Sequence, residues 1–421
     1  MDNGSLGLVV GLIDDRISAI RRARPKAEQA LTHALVQLVD SLLEGVQRER
    51  GRLLDEIKAA GDAERVILGR KLLRLLSQLR GFSMLTPYLS DVGRSDIAMG
   101  LVQAVDMLIG ALLPKGADPV VHLDEHHNYS TLDLVALTEP IRTSLSIGDA
   151  PSPGPVVFFV PSTDPTNALL LPILAHEVGH SAVDEADLGS AVLSGADHQA
   201  LDHLLDECLN AAGTSDPTAW KLLLFRWLDE LLCDALAATL TGPSYLFASA
   251  VFLPAPEGGA VGSHPFPSDR VQMILRLLAH HNWRPLLEDH ASQITAWLKG
   301  LDEPIDGSSP LERFLREGIR ILEPAVVEVA EEYVSGALDP GEFDRIQSFL
   351  AQLLHVGIPP AEVGGDPTPP WAAVLSAWLH RIREHGDEPK SLVAATVDAD
   401  YNASILKAVE MSRILEFWKN P

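Results

Sequence analysis

Cysteine is nearly absent from this chain, which has only Cys208 and Cys233 among its 421 residues. Two cysteines exclude a disulfide framework, and a chain of this length buries enough surface not to need one. Such usage fits a reducing, cytoplasmic setting. Basic residues are also scarce, 33 Lys and Arg against 58 Asp and Glu, for a net charge of −25. Residues 1–80 hold 14 basic and 11 acidic side chains, so the remainder carries −28. This balance excludes a broad nucleic-acid-binding face, and solvated acidic surface is its simplest use.

Uninterrupted apolar runs are missing too. The one charge-free window long enough to span a bilayer, Ala235 to Pro256, is broken by Gly242-Pro243-Ser244 and closed by Pro254 and Pro256. It reads as buried helix, turn, buried helix, so membrane contact is not expected. The start, "MDNGSLGLVVGLIDDR", is acidic where a secretory leader is basic, and no leader is expected. There is no fixed-period repeat and no G-x-x-x-x-G-K-[ST] phosphate loop.

What is present is a folded composition, 46% apolar and 22% charged, with apolar residues at helical spacing over most of the length. Segments such as "ALTHALVQLVDSLLEGV" and "ERVILGRKLLRLLSQL" predict an N-terminal helical bundle over residues 1–117. Short β-prone runs, "DPVVHLD", "STLDLVAL" and "GPVVFFVP", predict a small sheet within a central domain, 118–285. Further helices, among them "ERFLREGIRIL", "AVVEVAEEYV" and "WAAVLSAWLHRIREH", fill a C-terminal region, 286–421, with linkers such as "DEPIDGSSP" and "GGDPTPP" between them. The expected fold class is mainly α with a small β-sheet.

The chemistry concentrates in "PILAHEVGHSAV". Pro172 suits the first turn of a helix, where its missing N–H costs nothing. His176 and His180 then stand at i and i+4 on one face, about 6 Å apart along the axis, where two imidazoles can meet one metal ion. Glu177 lies beside that face, where a carboxylate can take a proton from water activated by the metal. A catalytic zinc needs a third protein ligand. The spacing H-E-x-x-H-x-x-G-x-x-H is excluded by Val183 and Ala186. The segment "DPTAWKLLLFRWLDELLCDALAATLTGPSYL" is apolar nearly all round, yet it carries Glu230 and Asp234 at i, i+4. Buried carboxylates must be paired, hydrogen-bonded or metal-bound. Glu230 as a ligand, with Asp234 accepting the other ring N–H of a ligand histidine, accounts for both; an ion pair between Glu230 and Arg226 is the alternative. Asp206 and Glu207 are weaker ligand candidates, and Cys233 reads as a small core residue.

Together with "HPFPSDR", His264 to Arg270, these residues resemble the gluzincin metallopeptidases, most closely the branch of HtpX-like and CAAX-processing proteases. That branch pairs H-E-x-x-H with a downstream E-x-x-x-D and commonly carries H-P-x-x-x-x-R further on. The resemblance spans roughly residues 155–275 and lacks the family's membrane-spanning segments. It implies a zincin-like catalytic core with Zn2+ held by His176, His180 and Glu230. Glu177 would be the general base and later acid, with Asp234 orienting a ligand histidine. His264 would either stabilise the oxyanion or anchor its loop with Arg270.

The expected activity is therefore zinc-dependent hydrolysis of peptide or protein substrates. The alternative is a helical scaffold or regulatory protein that retains a structural or inactive zinc site, marked by a fourth protein ligand. The strand "PVVFFVP" is expected either to belong to a sheet that presents an edge to an extended peptide or to be a fully buried strand. "HLDEHHNY", His122 to Tyr129, reads as a polar loop, and "HHNW", His280 to Trp283, as a helix end. The helical flanks could also bind a partner protein.

Overall fold

The computed structural model describes every residue except 1–2, 24–32, 83–96, 126–128, 163–164, 253–263, 293, 295–308, 386–395, 397 and 420–421. The chain is mainly helical with a small sheet, as its periodicity predicts. It divides into two compact units, residues 1–97 with 115–163, and residues 98–114 with 164–421. This division differs from the three consecutive segments expected above. The strands group with the N-terminal helices, and the C-terminal helices group with the H-E-x-x-H segment. Periodicity marks where elements begin and end, but not which of their apolar faces meet.

In the first unit, helices α1 (Asn3–Ala23), α2 (His33–Ala59) and α3 (Asp62–Phe82) bury stripes at helical spacing, such as Val9, Ile13, Ile17 and Ile20 of α1. Leu38, Leu42 and Val46 of α2 and Leu68, Leu72 and Leu79 of α3 share this core. The sheet has the order β1-β3-β2, with β1 (Asp118–Asp124) parallel and β2 (Ser130–Asp133) antiparallel to β3 (Pro155–Pro161). Strand β3 is therefore central and almost wholly buried, with both edges paired. The strand "PVVFFVP" itself is therefore the buried one, and the outer strands of the sheet are β1 and β2. The run "STLDLVAL" changes structure halfway. Asp133 accepts from the N–H groups of Val135 and Ala136, capping a helix over Leu134–Ser144 (numbered α5 in chain order). His122 belongs to β1 rather than to a loop, and His126 and His127 lie outside the described residues.

The second unit is built from α4 (Met99–Leu112), α6 (Leu171–Ala186), α7 (Leu188–Gly195), α8 (His198–Ala212), α9 (Thr218–Thr241), α10 (Pro243–Phe252), α11 (Pro267–His280), α12 (Arg284–Asp289), α13 (Pro310–Tyr333), α14 (Pro340–His355), α15 (Pro370–His385) and α16 (Ala399–Lys419). Helix α9 is its axis, packing against α6, α10, α11 and α13. Its first turns are largely exposed, whereas every residue from Glu230 to Thr241 is buried. As far as Phe252, the charge-free window forms the end of α9, a turn at Gly242 with φ +63°, and the largely buried α10, while Pro254 and Pro256 lie outside the described residues. "ERFLREGIRIL" and "AVVEVAEEYV" run as one helix, α13, through Pro324. The apolar stripe Leu315, Ile319, Leu322, Val326 and Ala330 continues past the proline, and its burial outweighs the lost backbone hydrogen bond. "GGDPTPP" is more than a linker: Gly364 and Gly365, at φ +63° and +91°, turn a minimal hairpin of β4 (Glu362–Val363) and β5 (Asp366–Pro367).

Two contacts fix the helix that carries His176 and His180. A 3-10 turn, Ala168–Leu170, leads into α6, and both backbone groups of Leu169 are held by distant side chains. Trp378 Nε1 of α15 donates to its carbonyl at 2.9 Å, and Asn402 Oδ1 of α16 accepts from its N–H at 3.2 Å. Further along, Gly179 faces α9 so closely that a Cβ there would lie 3.1 Å from Cys233 Cα. Glycine lets the two backbones approach. That approach brings the histidines of α6 over the carboxylates of α9.

Candidate metal centre

Four helices supply the site. Helix α6 carries His176, Glu177 and His180, and α9 carries Glu230 and Asp234. Helix α10 brings Tyr245, while His264 precedes α11 and Arg270 lies in its first turns. Pro267 occupies the first turn of α11, as Pro172 does in α6.

His176, His180 and Glu230 each offer one ligand atom, and these atoms all lie within 4.8 Å of one another. Glu230 Oε2 is 3.5 Å from His176 Nε2, and Glu230 Oε1 is 3.8 Å from His180 Nε2. Ligands bound at zinc distances in a tetrahedron stand about 3.4 Å apart, so the donor set fits zinc in type and spacing. Among the described residues no fourth side chain joins this group. The far nitrogens are also engaged. His176 Nδ1 is 3.0 Å from Asp234 Oδ1 and 3.2 Å from Tyr245 Oη, and His180 Nδ1 is 3.3 Å from Cys233 Sγ. Both Nε2 atoms are thereby turned toward Glu230.

Asp234 is completely buried. Its Oδ2 accepts from Arg270 Nε and its Oδ1 from Arg270 Nη2, both at 2.7 Å, and Tyr245 donates a short hydrogen bond to the same Oδ1. Burial alone would raise its pKa, but the Arg270 charge and hydrogen bonds outweigh that and hold the carboxyl well below the usual range. Burial likewise opposes charge on His176, yet hydrogen bonds to Asp234 and Glu230 push its pKa up to about 9. In the metal-free protein a protonated His176 thus supplies the positive charge that the carboxylates favour. Burial would raise Glu230, but His176 and Arg270 hold it low, as an anionic ligand requires. His180 is lowered by burial and by the charge on His176, which keeps its lone pair available. Burial pushes Glu177 up to about 7 against the pull of His176, so it can exchange a proton near neutrality.

The structure brings the seven residues singled out in the sequence to one place, with two refinements. Arg270 forms a bidentate pair with Asp234, and its Nη1 lies 3.5 Å from Glu230 Oε2, while residues 253–263, the loop leading to His264, lie outside the described residues. The His264 side chain is 65% exposed, with Nε2 3.3 Å from Glu230 Oε1. The alternative ion pair is not formed, since Arg226 faces solvent and Glu230 faces the histidines. Cys233 is core, its thiol pushed up by burial. Glu207 is engaged with Arg313 and His203, outside the site. His280 ends α11 as expected, and both it and His281 face Glu331. Tyr245 was missed: it stands eleven residues beyond Asp234, after a Gly-Pro turn, where no spacing rule connects it to His176. A buried tyrosine's need for a hydroxyl partner was the only signal available.

No protein-family model, no curated protein and no solved structure matches this chain. Among the described residues no helix is long and apolar enough to cross a membrane.

Proposed function

We propose that this chain is a zinc-dependent metallopeptidase with a zincin-like core, in which His176, His180 and Glu230 hold the metal and Glu177 handles the proton. The observation that carries this reading is the convergence of two histidines and one carboxylate, a donor set that leaves one position of a four-coordinate zinc open. The resemblance to the HtpX-like and CAAX-processing branch, through the order of its three motifs, also supports it.

Bound there, zinc would supply Lewis acidity toward a scissile carbonyl and lower the pKa of water. The chain's own residues do the rest. The Glu177 carboxylate takes a proton from the attacking water and returns it to the leaving amine nitrogen. Asp234 fixes the orientation of His176, and Arg270 balances the charge of Asp234. His264 is exposed beside Glu230, and we assign it to the carbonyl oxygen as charge develops there. The substrates are peptides or proteins. The two free, buried cysteines support a cytoplasmic location.

The test measures zinc content and peptide cleavage together. Wild type is expected to hold about one zinc per chain and to lose it in His176→Ala and in Glu230→Ala. Glu177→Gln should keep the metal and lose about 10²–10⁴ in cleavage rate. Zinc retained by Glu230→Ala, or cleavage unchanged in Glu177→Gln, would overturn the reading, the second in favour of a scaffold with a structural zinc.

A further inference from the structure

We infer that Tyr245 is a positioning residue for the ligand His176: its hydroxyl, donating to Asp234, accepts the Nδ1 proton of His176 and so presents Nε2 to the metal. The inference rests on the zinc reading above and deepens it.

The argument is one of hydrogen-bond directions. Asp234 receives two hydrogen bonds from Arg270, so it is ionised and can only accept. The short contact between Tyr245 Oη and Asp234 Oδ1 therefore uses the single phenolic proton. With that proton committed, the oxygen that sits 3.2 Å from His176 Nδ1 can only accept from it. Asp234 Oδ1, 3.0 Å from the same nitrogen, is an acceptor as well. Two acceptors at Nδ1 require a proton there, so when the imidazole gives up its second proton to become a metal ligand, the lone pair is left on Nε2, the atom facing Glu230. The phenol and imidazole rings are nearly parallel, with 10° between their planes and centroids 6.3 Å apart, so the tyrosine also limits rotation of the imidazole. Gly242, in a backbone conformation that disfavours other residues, starts α10 at the point that sets Tyr245 against α9.

Zinc affinity of Tyr245→Phe is measured by competition with a chelating indicator, beside wild type and Tyr401→Phe. Tyr401 is a control of the same chemistry, because its hydroxyl donates to Ala377 away from the site. Tyr245→Phe is expected to bind zinc about tenfold more weakly, and Tyr401→Phe to bind it as wild type does. Histidine ¹⁵N spectra of zinc-loaded wild type need no variant, and should show His176 protonated at Nδ1. Zinc affinity of Tyr245→Phe equal to wild type, with only its melting temperature lowered, would make Tyr245 a packing residue and overturn the inference alone. A spectrum showing the proton at Nε2 would do the same. Wild type that binds no zinc would overturn the proposed function and this inference with it.

Discussion

Replacing Asp234 by Asn separates two roles that this carboxylate combines. The amide keeps the shape but removes the charge that faces Arg270 through two 2.7 Å hydrogen bonds in a fully buried setting. Arg270 is left buried, with the Glu230 carboxylate 3.5 Å from its Nη1. Removing one partner of such a pair costs about 3–5 kcal/mol. At about 2 °C per kcal/mol for a folded unit of this size, metal-free Asp234→Asn should melt about 6–10 °C below wild type. The double variant Asp234→Asn with Arg270→Gln removes the uncompensated charge and should recover most of that loss. Zinc affinity should behave differently, falling about 10–100-fold in Asp234→Asn and not returning in the double variant, because the acceptor for His176 is still weakened. Calorimetry on the metal-free proteins and indicator competition measure the two effects. Recovery of zinc affinity together with stability would refute the reasoning and reduce Asp234 to a partner for Arg270. The pH dependence has a definite sign. The folded pKa of Asp234 lies below its unfolded value, so its contribution is full above about pH 4 and lost only as pH falls through the folded value. The difference in melting temperature should hold from neutrality to mild acid and shrink below that.

Three further outcomes are expected. Because the metal-free site holds a proton on His176 with a pKa of about 9, zinc must displace it, and affinity should rise about tenfold per pH unit from about 6.5 to 9. In the metal-free protein the stability from that charged imidazole is present below about pH 6.5 and lost as pH rises through about 9. A pH-independent zinc affinity over this range would contradict both. Gly179→Val should separate α6 from α9, since its Cβ would meet Cys233 Cα at 3.1 Å. A cost of about 1–3 kcal/mol and loss of stoichiometric zinc are expected, and unchanged zinc content would show that the site does not depend on this close approach. Asn402→Ala removes the acceptor for Leu169 N–H and two donated bonds to Thr396 and Asp398. Destabilisation of about 2–3 kcal/mol, read by thermal melting, is the expected result; a change under about 0.5 kcal/mol would mean that α16 does not anchor the turn before α6.

Short-range regularity made part of this site legible in the sequence. The helical repeat alone puts His176 and His180 on one face and Glu230 and Asp234 on another, and the cost of burying carboxylates marks the second pair as needing partners. The Gly-Pro break in the charge-free window and the proline start of α6 were equally local, and the structure has both. Strand β3 shows where locality ends, because a run of buried apolar residues reads the same whether its edges are free or paired. Pairing with β1 and β2 is decided by segments up to 37 residues away.

What the sequence determined by itself was the chemistry on offer: two imidazoles, a base beside them, and a pair of acids on a helix that must be buried. Tertiary structure decided how those groups are used. Arg270 pairs with Asp234 because α11 crosses α9 at that level. Tyr245 reaches His176 because Gly242 turns the chain back, and the C-terminal helices belong to the site because Trp378 and Asn402 hold Leu169. Each of these contacts joins residues whose separation along the chain exceeds any helical or strand repeat. Their positions follow from which faces pack together, a property of the whole core that no local spacing encodes.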